Sequence, residues 1–204
     1  ECVRGVASCY PPQARGPLAR RSNVYGLVNQ AVQGMVVAGF GEDAWERIKR
    51  DAGVDLDAFV AMESYDDSIT YSLVEAGSAV LNLSPEAILR AFGEYWVLET
   101  AAEGYAELMQ AAGSTLSEFI GNLDQLHSRV LMTFPELCPP SFNCKEIDPG
   151  ELRVAYMSER VGLEPMVIGL LEGLGKHFKT PVEVTMVGEA TEPGTPAEFL
   201  VRYG

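Results

Sequence analysis

The hydrophobic pattern of this chain changes its period once, and that change constrains the fold more than any other feature. Up to about residue 135 the apolar residues recur at helical spacing. The clearest helical segment covers residues 114–134; Ser114 is predicted to cap it, and Pro135 ends it. Short alternating segments follow, with one further helical segment, "EPMVIGLLEGLGKHF", and a closing hairpin. We predict an α+β fold in which a helical N-terminal lobe, residues 24–135, packs on a mixed α/β lobe, residues 136–204, with an antiparallel sheet.

The first 23 residues differ from the rest of the chain. They are rich in Arg, Pro and Gly, show no periodicity and lack the continuous apolar core of about 7–15 residues that a signal peptide needs. We expect residues 1–23 to be a leader outside the fold, upstream of a start at Val24. No apolar run approaches the ~18–20 residues that span a bilayer.

Charge and cysteine usage limit the possible partners and the compartment. The net charge of −14 and the pI near 4.5 argue against nucleic acid and anionic membranes, which bind basic surfaces. A basic partner surface stays possible. Two of the four cysteines lie in the leader, and five residues separate the others, Cys138 and Cys144. This pattern is neither a disulfide scaffold nor a C-x-x-C metal site, so we expect a reducing cytoplasm.

One of the two histidines lies on the apolar face of the predicted helix 114–134. That face is spaced by alternating steps of four and three residues: Leu116, Ile120, Leu123, His127, Val130 and Phe134. His127 is therefore either a core residue bonded to a backbone carbonyl or a metal ligand. Zinc needs three or four protein ligands, whereas haem iron needs only one, since the macrocycle supplies four donors. His177, at a predicted helix end, is interpreted as a solvated residue.

A second group of polar residues occurs in "ELRVAYMSERVGL", residues 151–163, which alternates like a strand. Tyr156, Ser158 and Arg160 would then share one face, roughly 6–7 Å apart. Arg160 can bind a carboxylate bidentately, and the two hydroxyls can donate to the same group. The row fits the two propionates of haem, and an ordinary exposed strand face is the alternative.

Several motifs occur in an order that resembles the heme nitric oxide/oxygen-binding (H-NOX) family. They are "VYGLVN" from residue 24, "NLDQLHSRV" around His127, "PPSF" at 139–142, and Y-x-S-x-R at 156–160. The family includes the haem domain of soluble guanylate cyclase and stand-alone bacterial gas sensors. The resemblance covers about residues 24–204, although the usual Met-Tyr-Gly start is Val-Tyr-Gly here.

The resemblance implies a cofactor, haem b (iron protoporphyrin IX), between the two lobes. His127 would be the proximal iron ligand. Tyr156, Ser158 and Arg160 would bind the propionates. Pro140 would press on the macrocycle and distort it.

The resemblance also predicts which gas is bound. Members that hold O2 carry a tyrosine on the helix after the Y-x-S-x-R motif, and that position is Pro165 here. The expected partner positions are Val32 and Trp96, and the first distal helix contributes Val28. Pro165 has neither a hydroxyl nor an N–H with which to replace that tyrosine, so we expect NO and CO to bind rather than O2. Tyr95 and Tyr105 are the alternative donors.

No carboxylate pair, nucleophile–base set or phosphate-binding loop was found in the sequence. We therefore expect no enzymatic activity, and predict a cytoplasmic haem-based gas sensor that signals to a separate effector. The family implies a sensor histidine kinase or a cyclic-di-GMP enzyme as that effector. Two other classes stay open: a haem-free structural or interaction domain, and a haem enzyme with peroxidase-like or NO-oxidising activity.

Overall fold

The computed structural model describes residues 23–135, 137–190, 192 and 194–204. The predicted leader lies outside the described residues, apart from Asn23. The helices are α1 (Gly26–Phe40), α2 (Glu42–Asp51), α3 (Asp67–Leu81), α4 (Pro85–Tyr95), α5 (Ala102–Gly104), α6 (Ala106–Ala112), α7 (Leu116–Gly121), α8 (Leu123–Thr133) and α9 (Glu164–His177), with a π-helical turn (Trp96–Ala101) between α4 and α5. The strands are β1 (Asn23–Tyr25), β2 (Ser64–Asp66), β3 (Ser141–Asp148), β4 (Glu151–Met157), β5 (Val182–Gly188) and β6 (Ala197–Tyr203).

The strands form two antiparallel sheets. β1 pairs with β2, and the four later strands follow the order β3-β4-β6-β5. The predicted α+β fold, helical first and then mixed around an antiparallel sheet, is confirmed, and so is the closing hairpin, β5–β6. Within the described part of the chain, no helix is long and apolar enough to cross a membrane.

The prediction of one helix over residues 114–134 is wrong, because α7 and α8 are separate helices that meet at Asn122. The backbone of Asn122 is not helical (φ −103°, ψ 8°), and its side-chain amide donates to the Ala112 carbonyl at 2.7 Å. Asparagine competes for backbone groups in this way and so interrupts helices. The predicted cap is also wrong: Thr115 accepts from the backbone N–H of Glu118, whose carboxylate accepts from Ser114.

The predicted strand over residues 151–163 is too long. β4 ends at Met157, and the Ser158 hydroxyl accepts from the Arg160 backbone N–H at 3.0 Å, which forms a turn. Gly162 then adopts a left-handed φ of 83° before α9 begins. Tyr156 therefore lies on the buried face of a strand, while Ser158 and Arg160 lie in the following loop. Two short strands, Asn23–Tyr25 and Ser64–Asp66, directly precede α1 and α3.

The described residues form two hydrophobic cores. One lies among α1–α4 and includes Val32, Trp45, Ile48, Leu73 and Phe92. The other lies beneath the four-stranded sheet and includes Met109, Phe119, Ile120, Val154, Leu171, Phe199 and Val201. Residues of α6 and α7 thus belong to the core beneath the sheet and not to the core among α1–α4.

Helices α4 and α9 join the two cores at a close crossing. A Cβ on Gly93 would lie 2.1 Å from the Met166 carbonyl oxygen, and a Cβ on Gly169 would lie 1.9 Å from the Arg90 carbonyl oxygen. Only glycine permits backbones to approach this closely. The crossing holds one side of a cavity between the cores.

Candidate cofactor site

A cavity of about 370 Å³ lies between the two cores, within the range of roughly 300–1,000 Å³ typical of ligand and cofactor pockets. Its wall is mostly apolar and comes from α1, α3, α4, α6–α9 and the β3–β4 hairpin. Eight of the nine predicted cofactor-binding and distal residues line it: Val28, Val32, Trp96, His127, Pro140, Tyr156, Ser158 and Arg160. Pro165 is not among the described lining residues, although its neighbours Leu163 and Met166 are.

His127 projects into this cavity from α8 and is held by one hydrogen bond. Its Nδ1 lies 2.9 Å from the carbonyl oxygen of Pro140. Because a carbonyl only accepts, Nδ1 carries the proton in this contact, and a neutral ring then has a free lone pair on Nε2. Burial lowers the pKa of His127, against the opposing effects of the Pro140 carbonyl and the Asp124 charge. A neutral, oriented imidazole is the form that binds a metal.

Asp124, which sequence reasoning missed, ties the His127 helix to the strand after Pro140. Its carboxylate accepts from the Phe142 backbone N–H at 2.7 Å and from the Ser141 hydroxyl at 3.2 Å. The histidine and the carbonyl that orients it are therefore held together at two points. Asp124 lies one helical turn before His127, but its partners in β3 depend on the tertiary fold.

Phe142 connects His127 to the hydroxyl end of the cavity. Its ring centroid lies 5.8 Å from the His127 ring and 5.3 Å from the Tyr156 ring. Tyr156 is buried, and this burial raises the pKa of its phenol. The hydroxyl therefore stays protonated at neutral pH and can donate a hydrogen bond.

The cationic end of the cavity is built from both lobes. Arg160 donates from Nε to Asp67 Oδ2 at 2.7 Å, and Asp67 is only 7% exposed. Tyr71, one turn later on α3, also lines the cavity, and burial and the Asp67 charge raise the pKa of its phenol. Sequence reasoning missed both α3 residues, although their spacing of four in "DSITY" was a signal that they share a helix face.

The opposite wall is apolar around the predicted distal residues. Val28 and Val32 come from α1, and the Trp96 ring lies 6.0 Å from the Phe92 ring at an angle of 62°. Of the two alternative donors, Tyr105 lines the cavity and Tyr95 does not. The Tyr95 hydroxyl instead lies beside α1, 2.7 Å from where a Cβ on Gly34 would be.

No other metal-binding arrangement was found in the described part of the chain. It contains no group of three or more His, Cys, Asp or Glu side chains that could hold an ion. Cys138 and Cys144 are free thiols, the first exposed and the second half-buried. His177 is exposed in the last turn of α9. The donor set thus fits a cofactor that needs a single histidine.

An apolar cavity with one oriented imidazole, hydroxyls and a guanidinium at its edge is the arrangement expected of a haem-binding class of domain. The family model described as Haem-NO-binding matches residues 25–186, most of the chain. The protein therefore belongs to the Haem-NO-binding, or H-NOX, family, whose members are haem-based sensor domains.

Guanylate cyclases are among the curated relatives. A soluble guanylate cyclase of Caenorhabditis elegans, gcy-32, is 27% identical over 167 residues, which cover 80% of this chain and 24% of the relative. The rat guanylate cyclase soluble subunit beta-2 is 40% identical over 93 residues, 46% of this chain and 14% of the relative. The chain thus spans about a quarter or less of the length of these proteins.

Solved structures show the same fold. An H-NOX protein from S. oneidensis in the Fe(II)NO ligation state superposes with a TM-score of 0.79 at 20% identity, covering 89% of this chain and 99% of that one. An Fe(II) unliganded H-NOX protein from K. algicida has a TM-score of 0.76 at 19% identity, covering 89% and 97%.

Proposed function

We propose that this domain binds haem b and acts in the cytoplasm as a sensor of NO, and of CO, for a separate effector. The observation that carries the proposal is the bond between His127 Nδ1 and the Pro140 carbonyl, which leaves Nε2 free inside an apolar cavity. A core histidine with no ligand role would have no need of a large cavity beside it. The family membership supports the same interpretation.

The residues that would hold haem have distinct roles. His127 would bind the iron, Tyr156, Ser158 and Arg160 would bind the propionates, and Pro140 would contact the porphyrin ring and distort it. When bound, haem supplies a ferrous iron with a coordination position for a diatomic gas. The protein supplies the axial donor, the anchoring hydrogen bonds and the polarity of the pocket.

The decisive experiment is an absorption spectrum of the purified protein in the visible range, with and without added NO. A haem band that shifts with NO is expected. A protein that stays colourless after haem reconstitution would contradict the proposal and favour a haem-free interaction domain. Turnover of peroxide by the loaded protein would favour a haem enzyme instead.

The apolar pocket predicts which gases bind. The reduced, haem-loaded protein is expected to change its absorption spectrum with NO and CO but to form no stable oxy complex in air, since Val28, Val32 and Pro165 offer no hydrogen bond to a polarised O2 ligand. The Tyr105→Phe variant is the control, because Tyr105 is the alternative donor that lines the cavity. A stable spectral change in air that disappears in this variant would show that Tyr105 supplies the missing donor.

The propionate-binding residues are expected to contribute unequally. Arg160→Ala should speed haem loss more than Ser158→Ala, because a charge-assisted hydrogen bond is worth roughly 1.5–3 kcal/mol and a neutral one about 0.5–1.5 kcal/mol. Ser158 also accepts from the Arg160 backbone, so its loss disturbs the turn as well. Haem transfer to an excess of a scavenging protein measures both rates, and an equal or reversed order would contradict these roles.

The effector is proposed on chemical and family grounds. A sensor histidine kinase or a cyclic-di-GMP enzyme is the partner that the family implies. The net charge of −14 favours a basic docking surface on that partner. Pull-down of each candidate at low and high salt tests this, because an electrostatic contact weakens with ionic strength.

A further inference from the structure

We propose that Asp67 is a positioning residue that holds Arg160 ready for the carboxylates of the cofactor. The inference rests on the proposed function, because Arg160 must bind a carboxylate for its position to matter. It adds a residue from the helical lobe to a binding motif that lies wholly in the mixed lobe. The two residues are 93 positions apart in the chain.

Asp67 is well placed to be a fixed anchor. It is the first residue of α3, where the helix dipole favours a negative charge, and only 7% of it is exposed. The preceding residue, Asp66, caps the same helix by accepting from the Ser68 backbone N–H at 3.0 Å. Asp66 also pairs with Asn23 across the β1–β2 sheet. The carboxylate of Asp67 therefore extends from a point that a strand pair and a helix cap both hold.

Arg160, by contrast, needs an anchor. It lies in the loop after β4, and a free arginine side chain loses substantial rotamer entropy when it is ordered. Its Nη2 donates to Asp67 Oδ1 at 3.4 Å and to the Asn23 carbonyl at 3.0 Å, in addition to the Nε bond. Arg160 is thus held at the point where β1 starts and β2 ends.

One part of the guanidinium is left for a ligand. Among the described residues, Nη1 makes only a 3.5 Å contact, with the Cys138 carbonyl, although this nitrogen carries two N–H groups. Asp67 occupies the Nε and Nη2 positions. A cofactor carboxylate can therefore bind at Nη1 while Asp67 remains in place, so the two carboxylates need not exclude each other.

The test compares two cofactors in the full chain. Haem carries free propionates, whereas in haem dimethyl ester both are esterified and offer Arg160 no negative charge. The rate of transfer to an excess of a scavenging protein is measured for wild type, Asp67→Ala, Asp67→Asn and Arg160→Ala. We expect Asp67→Ala to release haem about tenfold faster than wild type, the size of one charge-assisted hydrogen bond. Release of the ester should change less than twofold.

Two further comparisons separate positioning from general stability. Asp67→Asn keeps an oxygen acceptor for the Arg160 Nε, so its rate of haem release should lie between those of wild type and Asp67→Ala. If the alanine variant does not fold, the asparagine variant replaces it in the comparison. The Asp67→Ala, Arg160→Ala double variant should release haem no faster than Arg160→Ala alone, because Asp67 acts only through Arg160. Rates that multiply in the double variant would overturn the proposal.

The remaining outcomes are also decisive. Equal acceleration of haem and ester release in Asp67→Ala would make Asp67 a general structural residue. Slower haem release would mean that Asp67 competes with the cofactor. Unchanged release would show that Arg160 needs no anchor. These three results leave the proposed function standing, whereas a wild type that binds neither cofactor through His127 would overturn both.

Discussion

Replacing His127 with glycine is expected to lower haem affinity by at least about 100-fold. Mutation of a residue that only hydrogen-bonds to a metal ligand already lowers metal affinity by roughly 10–100-fold, and His127 would be the ligand itself. The variant removes the imidazole that faces the cavity, and His127 is the only histidine among the described residues that line it. Added imidazole should restore the absorption spectrum, because it fits the vacated space and can donate to the Pro140 carbonyl. Haem titration with and without imidazole measures the effect.

His177→Gly is the matched control for this prediction. His177 is exposed at the end of α9 and does not line the cavity. Its replacement should leave haem binding unchanged. A wild-type spectrum in His127→Gly, or loss of binding in His177→Gly, would show that another residue ligates the iron.

Adding one methyl group at the α4–α9 crossing is expected to destabilise the fold strongly. In Gly169→Ala the new Cβ would meet the Arg90 carbonyl oxygen at 1.9 Å, so the two helix backbones must separate. Overpacking of this kind costs about 1–3 kcal/mol, and a backbone-to-backbone clash, which no side-chain rotation relieves, belongs at the upper end. For a chain of this size the melting temperature should fall by roughly 6–12 °C.

Gly39→Ala in α1 is the control for the crossing. A Cβ on Gly39 meets nothing within 4 Å, so alanine should be neutral or stabilise by up to about 1 kcal/mol through its helix propensity. Thermal unfolding of the haem-free protein followed by circular dichroism compares the two variants. Equal melting temperatures would mean that α4 and α9 do not cross at this distance.

The periodicity of apolar residues was sufficient to predict the broad architecture. A helix or strand that buries one face has apolar residues at a regular spacing, which can be counted in the sequence. This spacing also assigned His127 to an apolar helix face, and the structure has that face lining the cavity. Element ends were less predictable. The interruption at Asn122 depends on the Ala112 carbonyl, which comes within reach only after α6 has packed against α7 and α8.

Local motifs also marked candidate site residues, but they did not show which groups those residues contact in the folded protein. The spacing of the Y-x-S-x-R motif could be recognised in the sequence. The prediction that its three side chains share one strand face was wrong, because Ser158 forms a turn after the end of β4. The distal positions came from the resemblance to the H-NOX family, and Pro165 was placed by its distance from the motif. The structure puts Pro165 in the first turn of α9, outside the described lining of the cavity. Its expected effect on gas choice therefore remains a prediction.

The features that organise the cavity are contacts between distant parts of the chain. Spacing in the sequence marks His127 and Arg160 as candidates, because each sits in a recognisable local pattern. Their partners, the Pro140 carbonyl and the Asp67 carboxylate, were assigned only by the tertiary structure. A hydrogen bond forms wherever folding brings a donor within about 3 Å of an acceptor, and that distance depends on how both lobes pack and not on any local repeat.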